Sequence, residues 1–196
     1  MAYISQISED EASGLLQQAY ELARDRSGGL ANIIRIMSHD VETLNASMQF
    51  YVKLMKSPNA LSSQQKEMLA TVVSAANDCY YWTLSHSHDF GLESKDPTAA
   101  TALTHDYRQA RLSAADLALC AYAVKLTLNP HTMTNSDVAQ LQTAGFSDGE
   151  ITIAVQVIAY FNYINRVADG LGVDLEDSMN APIGQWQADK ADFREN

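Results

Sequence analysis

Apolar positions recur at helical spacing almost throughout this chain, and no segment alternates with period two over strand length. Leu15, Leu16, Ala19, Leu22 and Ala23 form a stripe after a Ser8/Glu11 capping box, and the stripe stops at Gly28-Gly29. A short apolar segment, 30–37, follows. Asp40 then caps a helix whose Leu44, Met48, Tyr51 and Met55 share one face, with Pro58 as its stop. The stretch LSSQQKEMLATVVSAANDCYYWTLSHSHDFGL, 61–92, reads as one long helix. Ser62 and Gln65 make its capping box, Leu61 its staple and Gly91 its left-handed stop. A polar segment with Pro97 gives a loop and a modest helix. Ser113 and Asp116 open a helix that Pro130 closes, and Thr134 and Asp137 open a short one ending at Gly145. Ser147 and Glu150 start the last long helix, 148–169, closed by Gly170 and Gly172. The pattern predicts an all-α fold of about seven or eight helices, with 61–90 and 148–169 as its longest antiparallel neighbours. Nothing reads as a linker, so 1–196 is expected to form one domain.

A shift of 83 positions lays Glu67 on Glu150, Cys79 on Asn162, Trp82 on Asn165 and His86 on Asp169. Two copies of one helical unit about a pseudo-twofold would give this match, and so would two unrelated amphipathic helices; both readings stay open.

Composition narrows the partners. Twenty-four acidic against thirteen basic side chains give a formal charge of -11, which argues against nucleic acid and anionic membranes. The most apolar stretch, 151–164, is interrupted by Gln156 and Asn162 and is too short to span a bilayer. The opening MAYISQISED has neither a basic region nor an apolar run, so no secretory signal is read there. Two cysteines are too few for a disulfide framework, and a cytoplasmic location is expected. The acidic end, 174–196, carries Ile183 and Trp186 as anchors for a partner surface.

The candidate chemistry lies in 61–92. Glu67, Cys79 and His86 bring an acid, a thiol and an imidazole in order, with Trp82 one turn before His86. On a continuous helix Cys79 and His86 share a stripe but stand roughly 10 Å apart along the axis, out of direct hydrogen-bond reach. Each residue also has a plain structural reading: Cys79 as a small core filler, Glu67 as a first-turn acid, Tyr80, Tyr81 and Trp82 as core or interface aromatics. Cys120, in LALCAYAV, reads as core and His88 as surface. His86 and His88 lack metal-ligand spacing, so neither a metal nor another cofactor is expected.

Glu67, eleven residues, Cys79, six residues, His86 resembles the active-site helix of the carboxymuconolactone decarboxylase superfamily, in its peroxidase-related, alkyl hydroperoxidase D-like branch. That branch carries a second cysteine three residues after the first, where this chain has Trp82; Tyr81 stands between. ANIIRIMSHDVETLNASMQFY, LALCAYAVKLTLNP, LQTAGFSDGEI and AYFNYINRVADGLGV extend the resemblance over 31–173. It implies an alkyl hydroperoxidase D-like helical bundle, a homo-oligomer built as a dimer or an assembly of dimers, and an antioxidant oxidoreductase. In that chemistry a thiolate reduces a peroxide and becomes a sulfenic acid, with Glu67 and His86 as the relay and Trp82 and Tyr81 at the pocket. Without the second thiol the intramolecular dithiol cycle is expected to be absent; a one-cysteine cycle resolved by an external thiol reductant stays open. Two alternatives stand beside it: proton transfer by Glu67 and His86 on a small molecule, as in the lactone decarboxylase branch, and a non-catalytic oligomeric binding protein.

Overall fold

The computed structural model describes residues 2–179, and within them the chain forms nine α-helices and no strand. They are α1 (Gly14–Ser27), α2 (Asn32–Ile36), α3 (Val41–Tyr51), α4 (Ser63–Ala76), α5 (Tyr80–Ser94), α6 (Pro97–His105), α7 (Ala114–Leu128), α8 (Asn135–Thr143) and α9 (Asp148–Leu171). The last turn of α3 widens into a π-helical segment, Val52–Lys56. No helix among the described residues is long and apolar enough to cross a membrane.

The expected long helix 61–90 is two helices. The Ser62/Gln65 capping box starts α4 as read, but α4 ends at Ala76 and Asp78 turns left-handed at φ 60° before α5 begins. Aspartate tolerates that conformation far better than a β-branched residue. Cys79 is therefore not mid-helix; it is the N-cap of α5. Gly91 is no stop either: α5 runs through it, with Ala100 of α6 packed 3.4 Å from where a Cβ would sit, and Lys95 makes the left-handed cap. A single-helix reading fails here because apolar spacing carries on across one residue of changed backbone.

α4 is buried on all sides from Lys66 to Ala76 and forms the centre of the bundle, packed by α5, α6, α7 and α9. The capping boxes of α4 and α9 start at Ser62 and Ser147, 85 positions apart, not 83. Glu150 closes its own capping box whereas Glu67 lies inside α4, and α9 continues unbroken for 24 residues where the first unit breaks. The 83-residue register is thus not a structural equivalence.

The Ser8/Glu11 pair forms an isolated turn, and α1 starts later, after Ser13. Its buried stripe is Leu16, Ala19, Tyr20 and Ala23, while Leu15 and Leu22 face outward at 53% and 68% exposure. After α9 the chain folds back on itself. Glu176 accepts from the Asn32 amide and from the Tyr81 hydroxyl, both at 2.7 Å, and the Asn32 side chain donates to the carbonyls of Asp174 and Leu175. Residues 174–179 thereby pack on their own chain. Ile183 and Trp186 lie outside the described residues.

Candidate active site

Glu67 lies on the buried core helix α4, where a lone carboxylate would be costly. Two partners compensate it. One carboxylate oxygen meets His86 Nδ1 from α5, and the other accepts from Lys56 Nζ at 3.1 Å from the π-helical segment. Burial by itself would raise the Glu67 carboxyl; the His86 charge and hydrogen bond, followed by those of Lys56, hold it down at about 2. Burial would likewise lower Lys56, but Tyr51, Glu67 and Asp89 together keep its ammonium protonated well above the ordinary lysine range. Asp89, one turn beyond His86 on α5, is 3.9 Å from Lys56 Nζ.

His86 is 1% exposed. Trp82 stacks on it with ring centroids 5.3 Å apart, and Phe161 of α9 meets both rings edge-on. Two buried nitrogens, Trp82 Nε1 and His86 Nε2, have no hydrogen-bond partner among the described residues.

Beside Trp82 lies a cavity of about 520 Å³, a volume typical of small-molecule sites. Its body is apolar, with Ile33, Ile34, Leu44, Met48 and Ile164, and Tyr81 and Tyr160 add rings. Tyr51, Lys56 and Asp89 make a polar end, where Arg26 also reaches the wall. Of the expected site residues Trp82 and Tyr81 line this cavity; Glu67, His86 and Cys79 do not.

Cys79 faces the other way. Its thiol donates to the Asn165 carbonyl of α9 at 3.8 Å and lies beside Asp169. Burial pushes the thiol far above the usual cysteine value, and the Asp169 carboxylate pushes it further; the Trp82 amide opposes this but makes no capping hydrogen bond. The other side of that contact is a polar seam. Asn165 donates to Ser74 and accepts from Asn77, which also reaches Asn162. Cys120 is fully buried in α7, and His88 is exposed.

Of the three motif residues, Glu67 and His86 meet and Cys79 stands apart, while Lys56, Tyr51 and Asp89, which no sequence motif marks, complete the cluster. Lys56 follows Tyr51 by five residues, a π-helical spacing that a 3.6-residue periodicity does not register. Glu67, His86 and Asp89 bring three ligand atoms within 4.8 Å of one another, a set suited to a divalent cation. The Lys56 ammonium already pairs with both carboxylates there.

No protein-family model and no curated protein matches the chain. Solved structures do. A peroxidase-related protein from Silicibacter sp. TM1040 superposes with TM-score 0.79 at 27% identity, covering 92% of each chain. An alkylhydroperoxidase AhpD core, a peroxidase-related protein from Ralstonia eutropha JMP134, gives 0.84 at 22% identity over 91% of this chain and 94% of that one. The fold is that of the alkyl hydroperoxidase D-like proteins. The debrominase Bmp8 shares it at TM-score 0.77 and 15% identity, over 94% of this chain and 97% of its own, and has been solved with 2,3,4-tribromopyrrole as a cysteine-to-alanine variant. One fold therefore carries more than one chemistry.

Proposed function

We propose that this chain is a small-molecule enzyme of the peroxidase-related, alkyl hydroperoxidase D-like group that works by acid–base chemistry at the Trp82 cavity and without a dithiol cycle. The observation that carries this is the two-sided Glu67 carboxylate: it is buried, joined to His86, and fixes the Lys56 ammonium on the cavity wall. Lys56 is the cation that faces negative charge developing on a substrate oxygen, and Asp89 is the carboxylate that accepts the substrate proton. Glu67 and His86 act through Lys56 and are positioning residues. Trp82 takes the place where the group's second sulfur stands and closes the cavity floor. The homo-oligomer that the resemblance implies belongs to this reading, with exposed Leu15 and Leu22 of α1 as apolar surface available to a second copy.

The test is solvent-deuterium incorporation next to the carbonyl in a panel of small ketones and lactones, followed by NMR. Incorporation is expected with wild type and with Cys79→Ser, and is expected to be lost in Asp89→Asn and Lys56→Met. Incorporation that follows Cys79 instead would overturn the assignment.

A second reading is favoured by one feature: Cys79 is the N-cap of α5, a position whose helix dipole suits a thiolate. There the thiolate would attack a peroxide O–O bond, releasing alcohol or water and forming a sulfenic acid, which two equivalents of an external thiol return to thiol as a disulfide and water. Thiol-dependent peroxide consumption in wild type, absent from Cys79→Ser, would establish it.

A further inference from the structure

We propose that the Trp82 cavity takes a ring-bearing monoanion, its flat apolar body among the cavity's aliphatic and aromatic walls and its acidic group at Arg26 and Lys56. This rests on the cavity being the functional site.

The chain as a whole carries a formal charge of -11, whereas at this end of the cavity Arg26 and Lys56 stand against Asp89 on the wall and Glu67 behind Lys56, so the acidic excess of the chain is locally cancelled. The two cations flank one ring. Arg26 Cζ stands 5.7 Å from the Tyr51 ring centroid and Lys56 Nζ 5.8 Å from it. They differ in how far they are already neutralised. Lys56 is held by Glu67 and Asp89, whereas Arg26 makes no ion pair among the described residues. Its guanidinium is therefore the cation with bonding capacity to spare, and its planar fork matches a carboxylate better than an ammonium does.

Three groups of charge face this end of the cavity: Arg26 from α1, Lys56 from the π-helical segment with Glu67 behind it, and Asp89 from α5. A second carboxylate docked beside Asp89 is repelled unless Arg26 takes it, which sets the acidic group toward α1. The remaining wall carries no charged side chain, and its largely apolar surface selects shape. Ile33, Ile34, Leu44 and Ile164 offer only dispersion contacts, and the rings of Trp82 and Tyr160 suit a flat body.

Calorimetry on the full chain at low ionic strength tests this with three probes of one shape: 2-naphthoate, 2-naphthamide and 2-naphthylmethylammonium. Naphthoate is expected to bind about tenfold or more tighter than the amide, with the ammonium weakest. Arg26→Gln is expected to reduce that preference to about threefold or less while leaving the amide's affinity unchanged. Arg26 is exposed on α1, so its replacement leaves the core intact. Met48→Trp, which fills the cavity, is expected to abolish binding of all three. An amide that binds as well as the acid, or an Arg26→Gln variant that keeps the full preference, overturns the anion selectivity and leaves the cavity as a ligand site. Naphthoate binding that survives Met48→Trp, or no binding by any probe, overturns the inference together with the reading of the cavity as the functional site.

Discussion

Glu67 and His86, nineteen residues apart, are hydrogen-bonded inside the bundle, and the same carboxylate holds Lys56 at 3.1 Å. The Glu67 carboxyl falls from its ordinary 4.5 to about 2 on folding. A depressed carboxyl contributes stability that is full above the unfolded value and is lost as pH falls toward the folded one, here between about 4.5 and 2. That interval corresponds to roughly 3 kcal/mol. Glu11, Asp40 and Asp137 at the surface are also held below their ordinary values by hydrogen bonds, so the comparison must be with Glu67→Gln. Urea unfolding as a function of pH is expected to show a steeper acid loss in wild type than in the variant; parallel curves would contradict the pairing.

Lys56→Met removes one of the two partners that hold Glu67 ionised. The folded value of Glu67 rises, and the acid unfolding midpoint is expected to move to higher pH. With the ammonium gone, Glu67, His86 and Asp89 are left as a three-donor set. Zinc is expected to raise the melting temperature of Lys56→Met and to leave wild type unchanged; stabilisation of both alike would mean that Lys56 is not the resident cation.

The break between α4 and α5 rests on one backbone conformation, Asp78 at φ 60°. Asp78→Val should cost about 1–2 kcal/mol, since a β-branched side chain crowds its own carbonyl there. Asp78→Gly, which adopts that conformation without strain, should cost less than Asp78→Val. Chemical denaturation measures both, and equal stability of Val and Gly would mean that the break is not held at this residue.

Much of the frame was readable in the sequence. Capping boxes at Ser62, Thr134 and Ser147 marked three true helix starts, and the all-α class followed from periodicity alone. What escaped were changes of backbone that leave the apolar pattern intact. One left-handed residue turned a helix into two and moved Cys79 from a stripe shared with His86 to a cap facing α9. One π-helical segment brought Lys56 back onto Glu67. Glu67 and His86 were legible because both are motif residues; Lys56 and Asp89 belong to no motif, and only the fold brings them together.

Trp82→Cys places a sulfur at the third position of α5, across from the N-cap Cys79, the spacing of a dithiol at a helix N-terminus. Losing a buried indole is expected to cost about 3–5 kcal/mol, and Trp82→Ser is the control for that loss. The folded Cys variant should form a Cys79 disulfide on oxidation and consume peroxide with dithiothreitol faster than the Ser control. Equal rates would mean that position 82 does not stand where the second sulfur of the peroxidase-related proteins stands.

A buried, inert thiol stands apart from a cavity walled in part by Lys56, and peroxide itself tests that separation most directly. Native protein is treated with equimolar hydrogen peroxide in the presence of dimedone, and the adducts on Cys79 and Cys120 are read by mass spectrometry. Both thiols are 0% exposed and both are pushed above the usual cysteine range by burial, so the native chain should carry no adduct, and the thiols should react only once unfolded. A stoichiometric dimedone adduct on Cys79 of the folded protein would contradict the account and return the site to thiol chemistry.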